Sequence, residues 1–521
     1  MLDIQKRLTN SFYALLALPA TAMGFALAVQ IAALSWILRT EFGREIYEIG
    51  IVWATGPIAG IFGQVIVGVV SDNVWLWNGR RRPFILIGGT LAAMMLLCLP
   101  NIDVIAGSMG FVNIFFVAIL VSLTLDVSIN VSFNPTRSLI ADVTPQGRPR
   151  TKGYTWMQTI SGFFGTSVYV VGATFGNYFL IYSGAIVVFL FSVIPPFLVE
   201  EPRRLKEEDD DGPNNYKDPL LAATISILIP GSGHLYARDY SRSLLFFVIS
   251  VTAYTIAIMQ HTNLTWMIPF YTIAGVTHIA SIVDAFRRVG FINRQDPKLK
   301  KILDDDETDW NEIFKLLTAH GFSWLGIQSM FVYIIFFLED QLVPLGYDNT
   351  GQMINISFGL LNAVGFILPV LVFEPLAVKL GRVRIHFMAM ATMALAYFGM
   401  AFLVVNPIIL YVLMAFAGIG WGAVVSLPFA IMSENVDKNR MGFFMGVFNL
   451  SVVIPHLIVS LIFGFIIEQF PTQSLLFVLC GVMLVLSTIA WSFVKETQVG
   501  EIELDIPVLP KVEDEDKESD K

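Results

Sequence analysis

Twelve apolar runs, arranged as two sets of six, leave this chain few folds. The first set covers roughly 12–38, 47–70, 83–100, 109–133, 153–175 and 178–199; the second covers about 315–338, 353–374, 384–405, 407–431, 442–467 and 472–494. About 20 apolar residues in a helix span a hydrocarbon layer of ~30 Å, and a helix satisfies its own backbone in lipid. Composition agrees, with 55% hydrophobic and 14% charged residues, against about 25% charged in soluble domains. The expectation is an all-α membrane protein. The net charge of −9 says little about ligands, because much of it lies in acidic stretches at 207–211, 304–309 and 513–520. No nucleic-acid partner is expected. Cys98 and Cys480 both fall in apolar runs, so neither a disulfide framework nor a cysteine metal site is expected. The first apolar run is too long for a signal-peptide core and reads as a retained helix.

The stretch Ser71-Asp72-Asn73 to Gly79-Arg80-Arg81-Arg82-Pro83 separates the second and third runs. An Asp and three Arg cannot rest in hydrocarbon, so this is a tight surface loop. The basic residues Arg137, Arg148, Arg150, Lys152, Lys379, Arg382, Arg384, Lys438 and Arg440 fall on the same side as Arg80–Arg82. The opposite loops hold Arg39 and Arg44, diluted by Glu41, Glu45 and Glu48. The positive-inside rule then puts both termini and the central insert in the cytoplasm. The loop recurs after the second run of the later set, as Glu374-Pro375-Leu-Ala-Val-Lys379-Leu-Gly381-Arg382-Val-Arg384. Duplicated halves of this kind bind substrate at mid-membrane and rock against each other. Asp72, Arg80, Arg81, Arg82, Glu374 and Arg382 are therefore candidate cytoplasmic gate residues, an acid and facing cations that latch one conformation.

Four regions follow: an N-terminal six-helix bundle (1–201), a cytoplasmic-rooted insert (202–312) with a membrane hairpin at about 241–284, a C-terminal six-helix bundle (313–497) and a disordered acidic tail (498–521). The insert contains three apolar runs. Three crossings would invert the second bundle and place its basic loops outside, so two of the runs cross. The run at 219–236, broken by Pro230 and Gly231, is expected to be interfacial or re-entrant. About 14 transmembrane helices result. The Pro-Gly-x-Gly-x-x-Tyr string resembles small hairpin modules fused to many membrane proteins, and an accessory role or oligomer contact is expected of it.

Several strings converge on one family. They are Gly24 to Gln30 (GFALAVQ), Ile51 to Pro57 (IVWATGP), Leu125-Asp126-Val127 leading through Asn130 to Pro135-Thr-Arg137 and Asp142, Ser426-Leu-Pro428, and Gly446 to His456 around Asn449. Together they resemble the sucrose/proton symporters and their glycoside-transporting relatives within the major facilitator superfamily. The resemblance covers most of both halves and excludes the insert. It implies two six-helix bundles, alternating access and cation-coupled uptake of a glycoside. A sucrose- or maltose-like disaccharide at the plasma membrane is expected, with a proton as coupling ion because Asp126 is the one clearly mid-membrane acid of the first half. The family's membrane acid maps to Asp126 and its arginine to Arg137. The departures are Asn73 after the loop Asp, His456 where a Gln is usual, and Val378 in the second loop.

The residues also speak for themselves. Asp126 lies well inside the fourth run, where a charge costs roughly 2.5–3.5 kcal/mol on insertion scales. It should face a wet cavity or the bundle interior, and can load and release a proton there. The alternative is a structural ion pair. Arg137, eleven residues on, lies almost three turns away on the same face, with Asn130 between them. Arg137 joins Asp126 as a candidate for proton coupling, and offers a planar fork of donors to a ligand. Gln30, Trp53, Gln64, Asn130, Arg137, Asn449 and His456 are candidate substrate contacts, since amides and indoles suit a polyhydroxyl ligand. Each alone reads first as an interhelical hydrogen bond; it is as a set that they point to a ligand. No P-loop, catalytic triad or zinc-helix motif stands out, so neither an enzyme nor a cofactor is expected. Sodium is the less favoured coupling ion. Rival readings are an exporter or facilitator of another small solute, and a transport-inactive receptor or scaffold.

Overall fold

The computed structural model describes residues 3–60, 67, 71, 75–108, 110, 113–145, 148–202, 217, 219–259, 264–295, 309–436 and 441–495. Among them, helix dominates and the one β feature is an isolated bridge between Leu76 and Gly79. The N-terminal bundle contains α1 (Asn10–Thr40), α2 (Ile46–Trp53), α3 (Arg82–Cys98), α4 (Ile114–Val143), α5 (Arg148–Phe175) and α6 (Asn177–Leu198). The insert supplies α7 (Pro219–Leu228), α8 (Ser232–Tyr236), α9 (Tyr240–Met259) and α10 (Leu264–Gln295). The C-terminal bundle contains α11 (Trp310–Gln341), α12 (Thr350–Leu368), α13 (Arg382–Leu403), α14 (Pro407–Glu434), α15 (Met441–Ile458) and α16 (Leu475–Trp491).

Helix starts follow from side chains that answer the unpaired N–H groups of a first turn. Thr9 accepts from the Phe12 amide at 3.3 Å, Asn113 from Phe115 at 3.0 Å, Asn349 from Gln352 at 3.0 Å and Asn406 from Ile409 at 3.1 Å. Two helices loosen into a π turn, Pro369–Phe373 after α12 and Val459–Phe463 after α15. Prolines lie beside both (Pro369 and Pro455), and a residue without an N–H leaves carbonyls for other donors. At the second of these turns the Tyr333 hydroxyl also donates to the Val459 carbonyl, at 3.0 Å.

Among the described residues, nine helices are long and apolar enough to cross a membrane, and two shorter apolar ones lie at Tyr240–Ile256 and Leu475–Trp491. α5 and α10, at 28 and 32 residues, are also long enough to cross, although they are not in that group. The second apolar run is described only in part. The fourth helix runs to Val143, ten residues beyond the end of its apolar run, because its last turns hold the polar line from Asn134 to Asp142.

α1 packs on α5 and α6, and α3 on α4 and α6; in the second half α11 packs on α16 and α13 on both α14 and α16. The halves meet through α2 against the π turn at Val459–Phe463 and through α5 against α12. In order along the chain these are helices two with eleven and five with eight. Exchanging the halves converts one pair into the other, which is the signature of an internal two-fold repeat.

Within the insert, α7 and α9 lie on α10. A small core of Ala222, Ala237, Ala285 and Val289 forms beneath a polar network. His234 meets Asp284 at 2.9 Å, Arg242 meets Asp284 at 2.7 Å and Arg288 meets Asp239 at 2.8 Å. Burial pushes the Asp239 carboxyl up, but bonds from the Arg242 amide, Ser241 and Arg288 outweigh it and hold its pKa below the usual value. Gly231 breaks the chain between α7 and α8 at φ +89, a left-handed conformation that favours glycine.

Candidate functional site

The end of the molecule that carries Arg80–Arg82 is here termed the basic end. Its geometry is set by one carboxylate. Glu201 accepts from the amides of Arg80, Arg81 and Arg82 at 2.7, 2.8 and 2.7 Å, capping α3 from 120 residues away. The freed side chains turn to Asp142 at the end of α4, Arg80 at 2.8 Å and Arg81 at 3.1 Å. Arg82 donates instead to the Pro196 carbonyl at 2.5 Å. These bonds all lie within the N-terminal bundle. Of the other candidate gate residues, Asp72 and the side chain of Glu374 lie outside the described residues, and Arg382 is half-buried at the start of α13. Replacing Glu201 by Gln removes a charge from a helix N-terminus and weakens these bonds. A loss of about 1–2 kcal/mol is expected, read as a lowered Tm of the detergent-purified protein.

At the opposite end the two bundles close on each other. Arg39 meets Glu339 at 2.8 Å. Asn355 donates to Asn177 at 2.6 Å and Gln352 to the Ala173 carbonyl at 3.1 Å. The rings of Tyr47 and Phe465 stack 5.4 Å apart. Glycines allow the close packing: Gly172 lies against the Asn355 amide, and Gly50 faces the Ser460 carbonyl and the Tyr333 hydroxyl with no room for a side-chain carbon. These contacts seal the interface between the bundles at this end.

Asp126 sits on this interface, 5% exposed. Gln30 of α1 donates to Oδ1 at 3.0 Å, and Thr55, just past α2, lies 2.7 Å from Oδ2. The Gln30 side chain is itself buried, and its Oε1 has no partner. Gly56 comes next. A Cβ added there would lie 3.7 Å from both Asp126 oxygens and 3.4 Å from His456 Cε1. The imidazole of the C-terminal bundle thus faces the carboxyl of the N-terminal bundle across a bare backbone. His456 is held by Gln328 of α11 at 3.0 Å.

Trp53 is 4% exposed, with its ring 6.1 Å from His456. Its indole N–H donates to Ser35 at 2.8 Å, and Ser35 donates to the Val332 carbonyl at 2.8 Å. Its donor is thus spent on closing the bundles, and what it can offer a ligand is a flat edge. Asn130 bonds back to the Asp126 carbonyl at 2.8 Å and is half-buried, while Arg137 is exposed, its guanidinium 4.2 Å from the Phe133 ring centre. The line Asp126, Asn130, Arg137 therefore climbs from the buried centre toward the basic end. Asn449 is half-buried on α15. Gln64 lies outside the described residues. Sequence reasoning missed Thr55, Gly56 and Gln328. The first two stand in the string Ile51 to Pro57, where only their place beside an acid on another helix gives them meaning. No group of three or more His, Cys, Asp or Glu among the described residues could hold a metal ion.

A sucrose transport protein of Arabidopsis thaliana is 23% identical over 485 residues, covering 85% of this chain and 81% of that protein. A general alpha-glucoside permease of Schizosaccharomyces pombe is 36% identical over 124 residues, covering 21% of this chain and 22% of the permease. The inward-open xylose transporter XylE from E. coli superposes with a TM-score of 0.56 at 15% identity, covering 94% of this chain and 97% of that one. The nucleoside transporter NupG gives a TM-score of 0.54 at 12% identity, covering 94% and 100%. At such identities the structures speak for the fold. The Major Facilitator Superfamily model matches residues 16–459, so this multi-pass membrane chain is a transporter of that superfamily and not an enzyme.

Proposed function

We propose that the protein carries a glycoside, a sucrose- or maltose-like disaccharide, together with a proton by alternating access across the plasma membrane. The observation that carries this reading is Asp126, a carboxyl 5% exposed where the two bundles meet. Its described neighbours on other helices are two donors, Gln30 and Thr55. A carboxyl at such a junction changes its exposure to water as the bundles rock, as a proton carrier must. Sodium would need several hard oxygen ligands, and no second carboxylate is described beside this one, so a proton is the favoured coupling ion. The names of the sucrose and alpha-glucoside relatives support the substrate class. We place the basic end in the cytoplasm by the positive-inside rule, with both termini inside, so the sealed end faces outward. Asp126 and Arg137 form the coupling pair along α4. Gln30, Asn130, Asn449 and His456 line the path of the ligand. The Arg80–Arg82 cluster is the inner latch.

Uptake into proteoliposomes of a small panel (sucrose, maltose, a phenyl glucoside) tests this, with and without an inward proton gradient. Accumulation that requires the gradient supports the proposal; gradient-independent equilibration of every sugar rejects the coupling, and no uptake of any rejects the substrate class.

The outer ion pair should tune the cycle without being essential to it. Arg39 and Glu339 are each 29% exposed, and pairs of that kind contribute about 0.2–1 kcal/mol. Arg39→Gln is expected to shift the inward/outward population by up to about fivefold toward outward-open, measured as spin-label distances across the outer end.

A further inference from the structure

The hydroxyl of Thr55 has one proton and two acceptors. Its Oγ lies 2.6 Å from the Val52 carbonyl and 2.7 Å from Asp126 Oδ2. A hydroxyl offers one O–H and two lone pairs, so it cannot donate to both at once. Two arrangements keep Oδ2 hydrogen-bonded. With Asp126 ionised, Thr55 donates to Oδ2. With Asp126 protonated, Oδ2–H donates to Thr55 Oγ, and the Thr55 O–H swings to the Val52 carbonyl. No heavy atom moves between the two.

We propose that Thr55 is the positioning residue for the proton on Asp126, a reversible hydroxyl that accepts from the acid and donates to the carboxylate. The step balances simply. A proton arriving from water forms the Oδ2–H bond, and one O–H rotates; discharge breaks Oδ2–H, returns the proton to water and reverses the rotation. The local chain is built for it. The helix is interrupted at Ala54, between the carbonyl of Val52 and the hydroxyl of Thr55, and both side chains are buried. The cost of a buried acid changing charge is usually the partner it loses. Here neither state loses one on Oδ2.

The other groups facing Asp126 do not duplicate this. Gln30 of α1 gives its amide donor to Oδ1 at 3.0 Å. Asn130, on the same helix, bonds to the Asp126 main chain. His456 of α15, the titratable neighbour, faces the carboxyl across Gly56, and Arg137 lies eleven residues further along α4.

The inference rests on Asp126 being the coupling acid, yet its test needs neither sugar nor gradient. The purified protein is titrated with pH by infrared spectroscopy, and the Asp126 carboxyl band is assigned by its loss in Asp126→Asn. In the wild type the band should have the lowered frequency of a hydrogen-bonded acid; a free-acid frequency there overturns the proposal. In Thr55→Val the band should rise in frequency, with Gln30 still holding Oδ1, and its midpoint should shift to higher pH by about one unit, since a charged acceptor loses more than a neutral donor. Thr55→Ser should restore both. An unchanged band and midpoint in Thr55→Val, or failure of Ser to restore them, overturns the proposal; Thr55→Ala replaces Val if Val does not fold. Failed sugar uptake with these spectra intact would reject the transport reading alone.

Discussion

Asp126→Asn protein in proteoliposomes exchanges labelled sucrose or maltose across the membrane but builds no gradient of it. Asparagine keeps the shape of the side chain and its contacts with Gln30 and Thr55, so the cavity and the rocking of the bundles survive. The removable proton is lost. A proton moving down 100 mV supplies about 2.3 kcal/mol, enough for roughly a fiftyfold concentration ratio. The expected change is therefore a fall in steady-state accumulation from tens-fold to unity, with counterflow retained. Counterflow and net accumulation are measured on the same vesicles. Accumulation that persists in the Asn variant removes Asp126 from the coupling step.

Gly50→Val is expected to stop the cycle by a different route. In the described state the Gly50 backbone lies against the Ser460 carbonyl and the Tyr333 hydroxyl. Neither can retreat freely, because Tyr333 is fixed by its bond to the Val459 carbonyl. Overfilling a close contact costs about 1–3 kcal/mol, all of it on the state in which the outer end is sealed. Transport should fall about tenfold or more, and the population should move to outward-open. The check is labelling of single cysteines introduced at the outer end. Asp126→Asn freezes the energetics and leaves the motion, whereas Gly50→Val leaves the acid and blocks the motion, so the two variants separate the halves of the mechanism.

The fold was legible because lipid imposes so few solutions: twelve apolar runs and a one-sided distribution of Arg and Lys suffice. Asp126 was legible for the same reason, as an acid where hydrocarbon forbids one. Contacts made at long range were not. Nothing in the sequence near Glu201 says that it caps a helix beginning at Arg82. Asn177 and Asn355 read as ordinary polar residues until the bundles bring them to 2.6 Å. Trp53 illustrates the reverse: it reads as a sugar platform, and the structure commits its N–H to Ser35. Thr55 and Gly56 lie in a string that marks the family, but a string does not say which of its residues touches a distant acid.

The insert carries its own means of holding together. Its described bonds join residues of 217–295 to one another, and it has an apolar centre of its own. A stretch that supplies its own packing asks of its host little more than a place to leave the chain and a place to return, on the same side of the bilayer. Any stretch of chain obeying that rule could ride in the same seat, which makes this junction a natural point of exchange for grafted modules.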